Sequence, residues 1–405
     1  MQPGLETNDR ISDPSGGSNQ TRVRAYNERL VLSLVRRHGH LPKSEIARRS
    51  GLSAQTVSVI MRSLEADGLL LRGDPIRGKV GQPSIPMALN PGGVYSFGLK
   101  IGRRSADLVL INFLGAPLTS QRITYDYPMP DALLDFASTA ILDASKTFSD
   151  EDRQKIAGIG IGLPFQLWNW EEQVGAPKGT MDVWKHFDIA AALEERCRFP
   201  VFQLNDATVA CGAELTFGRG PEFADFVYFF VGTFVGGGIV LNHSVYSGRT
   251  GNAGAFGPMP LISADGTSTQ LLAETSLYSL EKSLLKEGRD PTFLRHAEAN
   301  WDDLGEILEE WLDHVAHYLA MAVISACAVI DFEAAIIDGS FPVEIRKRLV
   351  EKVSASIDTI DLQGIVLPSI QEGTIGSGAR ALGAATLPLL NRYLLDQSVL
   401  FKELR

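Results

Sequence analysis

A glycine-rich segment offers the first candidate chemistry in this sequence. Phe230 to Pro260 reads FVGTFVGGGIVLNHSVYSGRTGNAGAFGPMP, with three consecutive glycines between two apolar runs. Backbone N–H groups in such a turn can hold a phosphate, which suggests a phosphoryl-transfer enzyme. The same glycines also suit a tight hairpin between buried strands. The segment alone does not separate the two hypotheses.

A second candidate chemistry is the recognition of DNA by a set of short polar and basic side chains. They are Ser53, Gln55, Thr56, Ser58 and Arg62 on one predicted helix, and Arg77, Lys79 and Gln82 in a following loop. Short polar groups near a helix N-terminus can reach base edges or phosphates in a major groove. A flexible basic loop suits the DNA backbone or a minor groove.

Three helices are predicted to position these side chains. The first runs from about 23 to 37 with Leu30, Leu34 and their neighbours on its apolar stripe, and the second spans 43 to 50 and buries Ile46 and Ala47. The third spans 54 to 67, with a turn at Gly51 before it and a stop at Gly68 after it. Ser53 is its predicted N-cap, and its predicted buried stripe is Val57, Ile60, Met61 and Leu64. With a two-strand wing behind it, this is a winged helix-turn-helix.

The charge distribution supports a nucleic-acid-binding module in this region. Residues 22–90 contain 12 Lys and Arg against 5 Asp and Glu, whereas residues 91–405 contain 25 against 40. A small basic module carried by an acidic body is typical of a protein that meets a polyanion through one part only. A protein-interaction module with a solvated basic face is the alternative.

Composition and cysteine spacing indicate a cytoplasmic protein without a membrane span. The chain has 405 residues, of which 44% are hydrophobic and 21% charged, and no apolar run reaches membrane-spanning length. Residues 1–20 lack the features of a secretory signal and are interpreted as a disordered tail. Cys197, Cys211 and Cys327 are far apart, so we expect reduced core residues.

From Val94 onward, short apolar strands alternate with longer helical patterns. Two rounds of strand pairs followed by crossover helices predict a duplicated α/β body with a cleft between two lobes. Ligands in such bodies lie beyond the carboxyl ends of the strands.

The order of these motifs resembles the ROK family (repressors, open reading frames and kinases), and in particular its transcriptional regulators of sugar metabolism. The resemblance covers about residues 22–390. It rests on the winged helix followed by GQPS, FGLKIGRRSADLVLINFLG, GIGIGLP, FPVFQLNDATVACGAE, the glycine-rich segment and GSGARALGAA. It implies a winged helix-turn-helix over 21–90 and, over 91–405, a two-lobed actin-like ATPase (ribonuclease H-like) body. In the kinases of the family the cleft binds a hexose and ATP.

The resemblance also assigns candidate ligand-binding residues. Asn205 and Asp206 match the family's sugar-binding Asn and catalytic Asp, although an Asn-Asp helix cap is an alternative that is compatible with this role. Glu274 matches a sugar-contacting Glu or is a solvated helix-face carboxylate. Gly232 and Thr233 lie in the second phosphate-binding turn of the family, where Phe234 replaces a smaller residue.

The first phosphate loop departs from the kinase pattern. Kinases of the family have Asp-x-Gly-x-Thr where this sequence has Lys100, Ile101, Gly102, Arg103 and Arg104. A metal-bound triphosphate does not suit three cations in this loop. The cations either bind a phosphorylated effector or pair with surface carboxylates.

The family's sugar and zinc motif is also changed. Asn252 to Pro258 has Ala255 and Pro258 where relatives have Glu and His, and LISADGTSTQLLAE replaces a cysteine-rich zinc loop. We therefore expect no metal site. Trp184 is interpreted as a packing residue, with a stacking platform for sugar as the alternative.

These observations together predict a regulator and not an enzyme. We expect a homodimer or homotetramer that binds a double-stranded DNA operator, most simply as a repressor, and senses a sugar or sugar derivative, with no cofactor and no catalytic residue. The alternatives are an ATP-dependent hexose kinase with an appended DNA-binding domain and a DNA binder without ligand response.

Overall fold

The computed structural model describes residues 19–75, 85–263, 265–296 and 299–395. The chain divides into two compact units at Leu89/Asn90, and the segment Tyr393–Leu395 belongs to the first unit although the sequence places it after the second. This boundary lies one residue before the predicted one, and the domain bounds of 21–90 and 91–405 stay a prediction. The predicted tail of residues 1–20 is shortened, because the first helix begins at Asn19.

The first unit has the predicted winged helix-turn-helix order. Its elements are α1 (Asn19–His38), β1 (Leu41–Pro42), α2 (Lys43–Ser50), α3 (Ala54–Ala66), β2 (Leu70–Arg72) and β3 (Pro86–Leu89). The three strands form an antiparallel sheet in the order β1-β3-β2. Strands β2 and β3 form the base of the wing.

The core of this unit comes from one face of each helix. All four residues predicted for the stripe of α3 are buried, as is Ile46 of α2. On α1 the buried positions are Val31, Leu32 and Val35, whereas Leu30 and Leu34 are partly exposed. The buried face of α1 is thus formed by the neighbours of Leu30 and Leu34, because α1 packs against both other helices and β3.

The second unit contains two five-stranded sheets with the same topology. The first sheet has the order β6-β5-β4-β7-β8 and the second β11-β10-β9-β14-β15. In each, three antiparallel strands are followed by two parallel ones. The strands of the first sheet are β4 (Tyr95–Ile101), β5 (Ser105–Asn112), β6 (Pro117–Thr124), β7 (Ile156–Leu163) and β8 (Val201–Asn205). Those of the second are β9 (Phe226–Val231), β10 (Val235–Leu241), β11 (Ser244–Val245), β14 (Ala334–Gly339) and β15 (Ser369–Glu372). The predicted duplication is confirmed.

Helices cover both sheets, and a separate hairpin lies outside them. The hairpin is β12 (Pro260–Ile262) and β13 (Ser268–Gln270). The helices associated with the first sheet are α4 (Pro130–Lys146), α5 (Asp150–Gln154), α6 (Glu171–Val174) and α7 (Ile189–Cys197). The remaining helices are α8 (Asp206–Phe217), α9 (Leu271–Glu274), α10 (Leu277–Lys286), α11 (Glu306–Cys327), α12 (Val343–Ile357) and α13 (Ala379–Arg392). We refer to the sheets with their helices as lobe I (β4–β8) and lobe II (β9–β15).

Helix α13 packs tightly on lobe I through glycines. A Cβ on Gly160 of β7 would overlap the Ala384 carbonyl, and a Cβ on Gly383 of α13 would overlap the Val209 carbonyl of α8. These glycines let backbones approach each other closely, so α13 is fixed against β7 and α8. This fixed helix carries Arg380 into the cleft described below.

Two expectations about individual residues are confirmed. Cys197, Cys211 and Cys327 are buried and free of disulfide bonds. Trp184 is 5% exposed and donates from Nε1 to the Pro128 carbonyl at 2.9 Å, so it is a packing residue.

In the described part of the chain no helix has the length and apolar character that a membrane crossing requires.

Candidate functional site

Helix α3 is held by well-formed caps at both ends. Ser53 Oγ accepts a hydrogen bond from the Thr56 backbone N–H at 3.1 Å and lies 2.8 Å from Thr56 Oγ1. At the other end, Gly68 has φ +70°, and the Leu69 N–H donates to the Leu64 carbonyl at 2.8 Å, as in a Schellman motif. The helix is therefore rigidly positioned, and the Ser53 hydroxyl is engaged in capping.

The exposed face of α3 carries the predicted DNA-binding side chains. Gln55 and Arg62 are exposed, Thr56 and Ser58 are half-buried, and the Arg62 Nε–H donates to the Ser58 carbonyl at 3.2 Å. Arg77, Lys79 and Gln82 lie outside the described residues. Whether any of these residues contacts DNA stays a prediction.

Val59, which lies on the same exposed face of α3, was not among the residues predicted from the sequence. Val59 is 50% exposed and lies one helical turn after Gln55. An apolar side chain beside an amide on a recognition helix can contact a thymine methyl group while the amide reads the neighbouring adenine. The signal was available: Val59 does not belong to the stripe formed by Val57, Ile60 and Leu64.

Several cations of the first unit are already paired within it. Arg48 and Arg49 contact Glu45 of α2, and Arg72 of the wing contacts Glu65 of α3. Exposed pairs of this kind contribute about 0–1 kcal/mol, so a DNA phosphate can replace the carboxylate with little loss of free energy. The positive charge of the module therefore remains usable for DNA.

The cleft of the second unit contains a cationic pocket between the two lobes. Lobe I supplies its first wall, lobe II the second, and α13 supplies Arg380. It is lined by Lys100, Gly102, Arg103, Arg104, Ser105, Arg122, Thr233, Leu277, Glu281, Pro291, Leu294, Ser340 and Arg380. Five of these side chains are cationic and one is acidic. We call this site the cationic pocket.

Lys100 is buried in a row of charges across three strands. The register of β4, β5 and β6 places Lys100 opposite Asp107, and Asp107 opposite Arg122. Lys100 Nζ donates to Asp107 Oδ2 at 3.0 Å and to Ser105 Oγ at 2.8 Å, and Arg122 Nε lies 3.4 Å from Asp107 Oδ1. Burial, followed by the positive charge of Arg380, lowers the pKa of Lys100 to about 8. For Lys100, pairing with a carboxylate is confirmed.

Arg103 has a different environment from the predicted carboxylate pairing. Its Cζ lies 4.3 Å from the centre of the Trp170 ring and 4.6 Å from that of Phe234, and the two rings are 4.9 Å apart. Its Nε is buried and has no hydrogen-bond partner among the described residues. Burial lowers the pKa of Arg103 to about 10. Among the described residues Arg103 forms no ion pair with a surface carboxylate; two aromatic rings contact its guanidinium, and the nearby charge of Asp206 partly opposes the lowering of its pKa.

Arg104 likewise forms no ion pair with a carboxylate of the described ranges. Its Nη1 donates to the backbone carbonyls of Asp126 at 2.7 Å and Val174 at 2.9 Å. These neutral acceptors hold the side chain in place and leave its charge uncompensated. The segment 100–104 therefore contains one cation that is paired with a carboxylate and two that are held by other contacts.

The negative charge of Asp206 is compensated by an ion pair with Arg380. Asp206 is the first residue of α8 and is 8% exposed, and its Oδ2 lies 3.4 Å from Arg380 Nη1. Arg380 Nη2 also donates to Ser340 Oγ at 3.2 Å, and its Cζ lies 4.7 Å from the Phe230 ring. The preceding Asn205 caps α8, since its Oδ1 accepts from the backbone N–H groups of Ala207 and Thr208 at 2.9 and 3.3 Å. The cap interpretation of Asn205 is confirmed.

The glycine-rich segment forms the predicted hairpin. Strands β9 and β10 pair antiparallel around the turn that contains Gly232 and Thr233. The carbonyls of these two residues accept from the Leu277 and Tyr278 N–H groups at 2.9 and 3.2 Å, which docks the turn onto the start of α10. Of the two, Thr233 lines the cationic pocket. The hairpin interpretation is confirmed, whereas phosphate binding by the turn stays a prediction.

The glycines of β10 serve close packing against α8. A Cβ on Gly236 would lie 2.8 Å from the Cβ of Ala207, and a Cβ on Gly238 would lie 2.5 Å from that of Cys211. Strand β10 can approach α8 this closely only without side chains. The packing therefore explains the glycine run without any ligand.

Glu274 is placed apart from the cationic pocket. Its Oε1 accepts from Thr269 Oγ1 at 3.0 Å, and its Oε2 lies 2.9 Å from His314 Nε2 of α11. It is not among the residues that line the cationic pocket. Arg380 and Thr233 line that pocket, and Asp206 contacts Arg380 without lining it, whereas a sugar contact by Glu274 stays a prediction.

The segment that corresponds to the zinc motif of the family forms a hairpin and an aromatic contact. Hairpin β12–β13 closes through Asp265, whose Oδ1 accepts from Ser263 Oγ and the Thr267 N–H. In the preceding turn, Phe256 packs on Phe229 at 4.6 Å between ring centres. Within the described ranges, no three His, Cys, Asp or Glu side chains are close enough to share a metal ion.

Fold and site together define a winged helix-turn-helix DNA-binding module joined to a two-lobed, sugar-kinase-like body. Residues 24–70 match the profile of a winged helix-turn-helix DNA-binding family, and residues 96–389 match the profile of the ROK family. The chain belongs to the ROK family.

Known relatives include transcriptional regulators. The xylose repressor of Bacillus subtilis (strain 168) is 23% identical over 273 residues, which are 66% of this chain and 69% of that protein. The DNA-binding transcriptional dual regulator NagC of Escherichia coli (strain K12) is 26% identical over 243 residues, which are 58% of this chain and 57% of that protein.

Solved structures share the fold. A ROK family transcriptional regulator, a homolog of the E. coli MLC protein, superposes with a TM-score of 0.66 at 19% identity, over 94% of this chain and 98% of that one. A ROK family glucokinase from Streptomyces griseus, in complex with glucose and AMPPNP, gives 0.57 at 20% identity, over 72% of this chain and 98% of that one. The kinase-like architecture of the body is thus confirmed.

Proposed function

We propose that this chain is a DNA-binding transcriptional regulator that represses genes of sugar uptake or catabolism. In this proposal, a sugar or sugar derivative binds in a cleft that performs no catalysis and thereby changes the affinity for DNA. The observation that carries the proposal is the combination of a rigidly capped, exposed recognition helix with a kinase-like cleft in which Arg380 neutralises Asp206. The names of the xylose repressor and NagC support it.

The cleft chemistry argues against phosphoryl transfer. A general base must accept the proton of the attacking hydroxyl, and Asp206 is instead engaged by a guanidinium. Phosphoryl transfer also needs a metal ion to position and neutralise the phosphates, whereas the first loop presents Lys100 and Arg103. A metal ion, which carboxylates would hold at this position in a kinase, would be repelled by these two cations of this chain.

DNA recognition is proposed to involve two winged helices of a homo-oligomer. Half-sites one helical turn apart lie about 34 Å from each other along B-DNA, so both modules must be spaced to match. A ligand that shifts the lobes would change this spacing. The Glu274, Asn205 and Asp206 region is the proposed sugar contact.

Genomic DNA selection tests the regulatory function. The full-length protein is incubated with fragments from the region around its own gene, and bound fragments are sequenced. Enrichment of a defined operator, with release by a sugar or sugar derivative, is the expected result. Uniform binding of all fragments, or no binding at low salt, contradicts the proposal.

A matched variant tests the placement of the recognition helix. Arg62→Ala removes a cation from the exposed face of α3, so we expect weaker operator binding and a salt dependence reduced by about one counterion. Arg196→Ala is the control, because Arg196 belongs to α7 of the body and pairs with Asp135. If both variants bind DNA like the unmodified protein, α3 is not the recognition element.

The second candidate function is a hexose kinase with a DNA-binding domain. It is favoured by the retained Asp206 at the start of α8 and by the likeness to a glucokinase fold. Incubation with Mg-ATP and a panel of hexoses decides between the two. Sugar-dependent ADP release at an enzymatic rate would overturn the regulator-only function, and its absence is expected.

A further inference from the structure

A groove lies between α1 and the exposed face of α3. It has a volume of about 630 Å³, and its lining includes Gln55, Thr56 and Val59 of α3 and Val23, Arg24 and Asn27 of α1. Gln55 and Thr56 are among the residues predicted to bind DNA, whereas the three residues of α1 are not. The exposed face of α3 therefore continues onto α1. We call this site the α1–α3 groove.

The side chains of the α1–α3 groove have unused capacity for binding. Val23 and Val59 are 55% and 50% exposed. Asn27 is half-buried and Gln55 is exposed, and neither side-chain amide has a hydrogen-bond partner among the described residues. Each amide can therefore donate to a ligand, or accept from it, without losing a contact within the protein.

Arg24 is held on the side of α1 that faces α3. Its Nη2 donates to Ser63 Oγ of α3 at 3.1 Å, and its Nε donates to Glu28 Oε1, one turn further along α1, at 2.8 Å. The ion pair with Glu28 is exposed to water and is therefore weak, so a second anion can compete for the guanidinium. The contact with Ser63 fixes where that anion must come.

The dimensions of B-DNA place α1 over the phosphate backbone when α3 lies in the major groove. The major groove is about 12 Å wide and a helix with its side chains is about 10–12 Å across, so α3 fills it. A helix that packs on α3, as α1 does, has its axis about 8–10 Å from that of α3. This distance exceeds the half-width of the major groove, about 6 Å. Side chains of α1 along the exposed face of α3 then meet phosphates.

Charge and polarity favour DNA over an apolar protein segment as the occupant of the α1–α3 groove. Residues 22–90 contain 12 Lys and Arg against 5 Asp and Glu, and the first turn of α1 has no acidic residue. An apolar partner would cover the amides of Asn27 and Gln55 without offering them hydrogen bonds, which is unfavourable. Phosphates and base edges offer hydrogen bonds to both amides.

We propose that α1 forms part of the DNA interface, with Arg24 and Asn27 as ligands of one phosphate beside the bases that α3 contacts. The two residues are three positions apart on one helix face, so their Cβ atoms lie about 5–6 Å from each other and both side chains can reach the same phosphate. This inference rests on the proposed function, because it extends the DNA-binding surface of the same unit. Arg24 supplies a charge-assisted hydrogen bond and Asn27 a neutral one.

The salt dependence of operator binding by the full-length protein separates these two contributions. Arg24→Ala is expected to weaken binding at least about tenfold and to lower the slope of log affinity against log salt by about 0.9, the value for one phosphate. Asn27→Ala is expected to weaken binding about threefold with an unchanged slope, because a neutral side chain releases no counterion. Arg37→Ala, at an exposed position in the last turn of α1, is the matched control and should bind like the unmodified protein.

Operator fragments that carry one uncharged methylphosphonate locate the contact. In the unmodified protein and in Arg37→Ala, we expect weaker binding when the phosphate that Arg24 contacts is replaced. In Arg24→Ala the same replacement should have no further effect, because the contact is already lost. Melting curves confirm that each variant folds. The same set of sensitive phosphates in Arg24→Ala and in the unmodified protein would overturn this inference.

The results distinguish a failure of this inference from a failure of the proposed function. If the unmodified protein binds a defined operator and Arg24→Ala keeps every phosphate contact, α1 lies away from DNA and the proposed function stands. If Arg24→Ala keeps every phosphate contact but selects a different base sequence, the phosphate assignment is wrong. If the unmodified protein binds no operator, the proposed function is contradicted, and this inference with it.

Discussion

At the scale of single residues, the cleft differs from that of a kinase through a few cations whose environments differ from one another. Lys100 is paired with Asp107, Arg103 is stacked on Trp170 and Phe234, and Arg380 binds Asp206. None of these three cations forms a simple surface ion pair, because each side chain is partly or fully removed from water. Burial of a charged side chain has measurable effects on stability.

Lys100 is expected to make stability depend on pH above neutrality. Its pKa is lowered from the ordinary 10.5 to about 8 in the folded protein, so between these values the unfolded chain binds more protons. The unfavourable burial of its charge is fully present below about pH 8 and is relieved as the pH rises toward 10.5. The free energy of unfolding of the unmodified protein, relative to Lys100→Met, should therefore rise by roughly 2–3 kcal/mol across this range.

Urea denaturation of both proteins between pH 7.5 and 10.5 measures this difference. Subtracting the values for Lys100→Met removes the titration of all groups that the two proteins share. A difference that stays constant or falls with increasing pH would show that Lys100 is not buried in its charged form.

Val59 is expected to determine one base of the operator. Because it is exposed one turn after Gln55, Val59→Asn should weaken the preference for thymine at one position of each half-site, with discrimination falling by about 1–3 kcal/mol. Selection of DNA from random sequences measures this preference. Val329→Asn, at an exposed position of the body, is the control and should leave the selected sequence unchanged. An unaltered preference in Val59→Asn would place Val59 away from the bases.

At the scale of elements, local sequence patterns predicted most of the secondary structure. Helix α2 has the predicted bounds, and the stripe of α3 is the predicted one. Periodicity and caps are local properties, so they are visible in one sequence. The partial exposure of Leu30 and Leu34 themselves was not predicted, because it depends on which partners α1 packs against.

Glycine-to-alanine substitutions on β10 and on α8 are predicted to change the stability of the protein in opposite directions. Gly238→Ala would place a Cβ 2.5 Å from that of Cys211, so we expect a loss of about 1–3 kcal/mol of stability. Gly212→Ala, in the interior of α8, would meet only Val245 at 3.8 Å, and alanine favours a helix by about 0.5–1 kcal/mol. Chemical unfolding of both variants measures the effects. Stabilisation by both would show that β10 does not lie against α8 as described.

At the scale of the whole molecule, the two units allow ligand and DNA to influence each other. If a ligand in the cleft weakens operator binding by some factor, the operator must weaken ligand binding by the same factor, because the two equilibria are linked. We expect a factor of about 5–150 for a regulatory ligand. Ligand titrations with and without a saturating operator fragment measure it. Ligand binding that is insensitive to DNA, in a protein whose DNA binding responds to ligand, would imply a second ligand site.

The sequence by itself determined the winged helix-turn-helix and the duplicated body, and it predicted that the kinase motifs are lost. These depend on the spacing of apolar residues, on caps and glycines, and on the identity of residues at motif positions. Only the tertiary structure decided what the replacement residues contact. Arg103 and Phe234 pack on each other, and Asp206 is joined to Arg380 from a helix near the end of the chain. Such contacts depend on how two lobes and α13 assemble, and no local pattern encodes them.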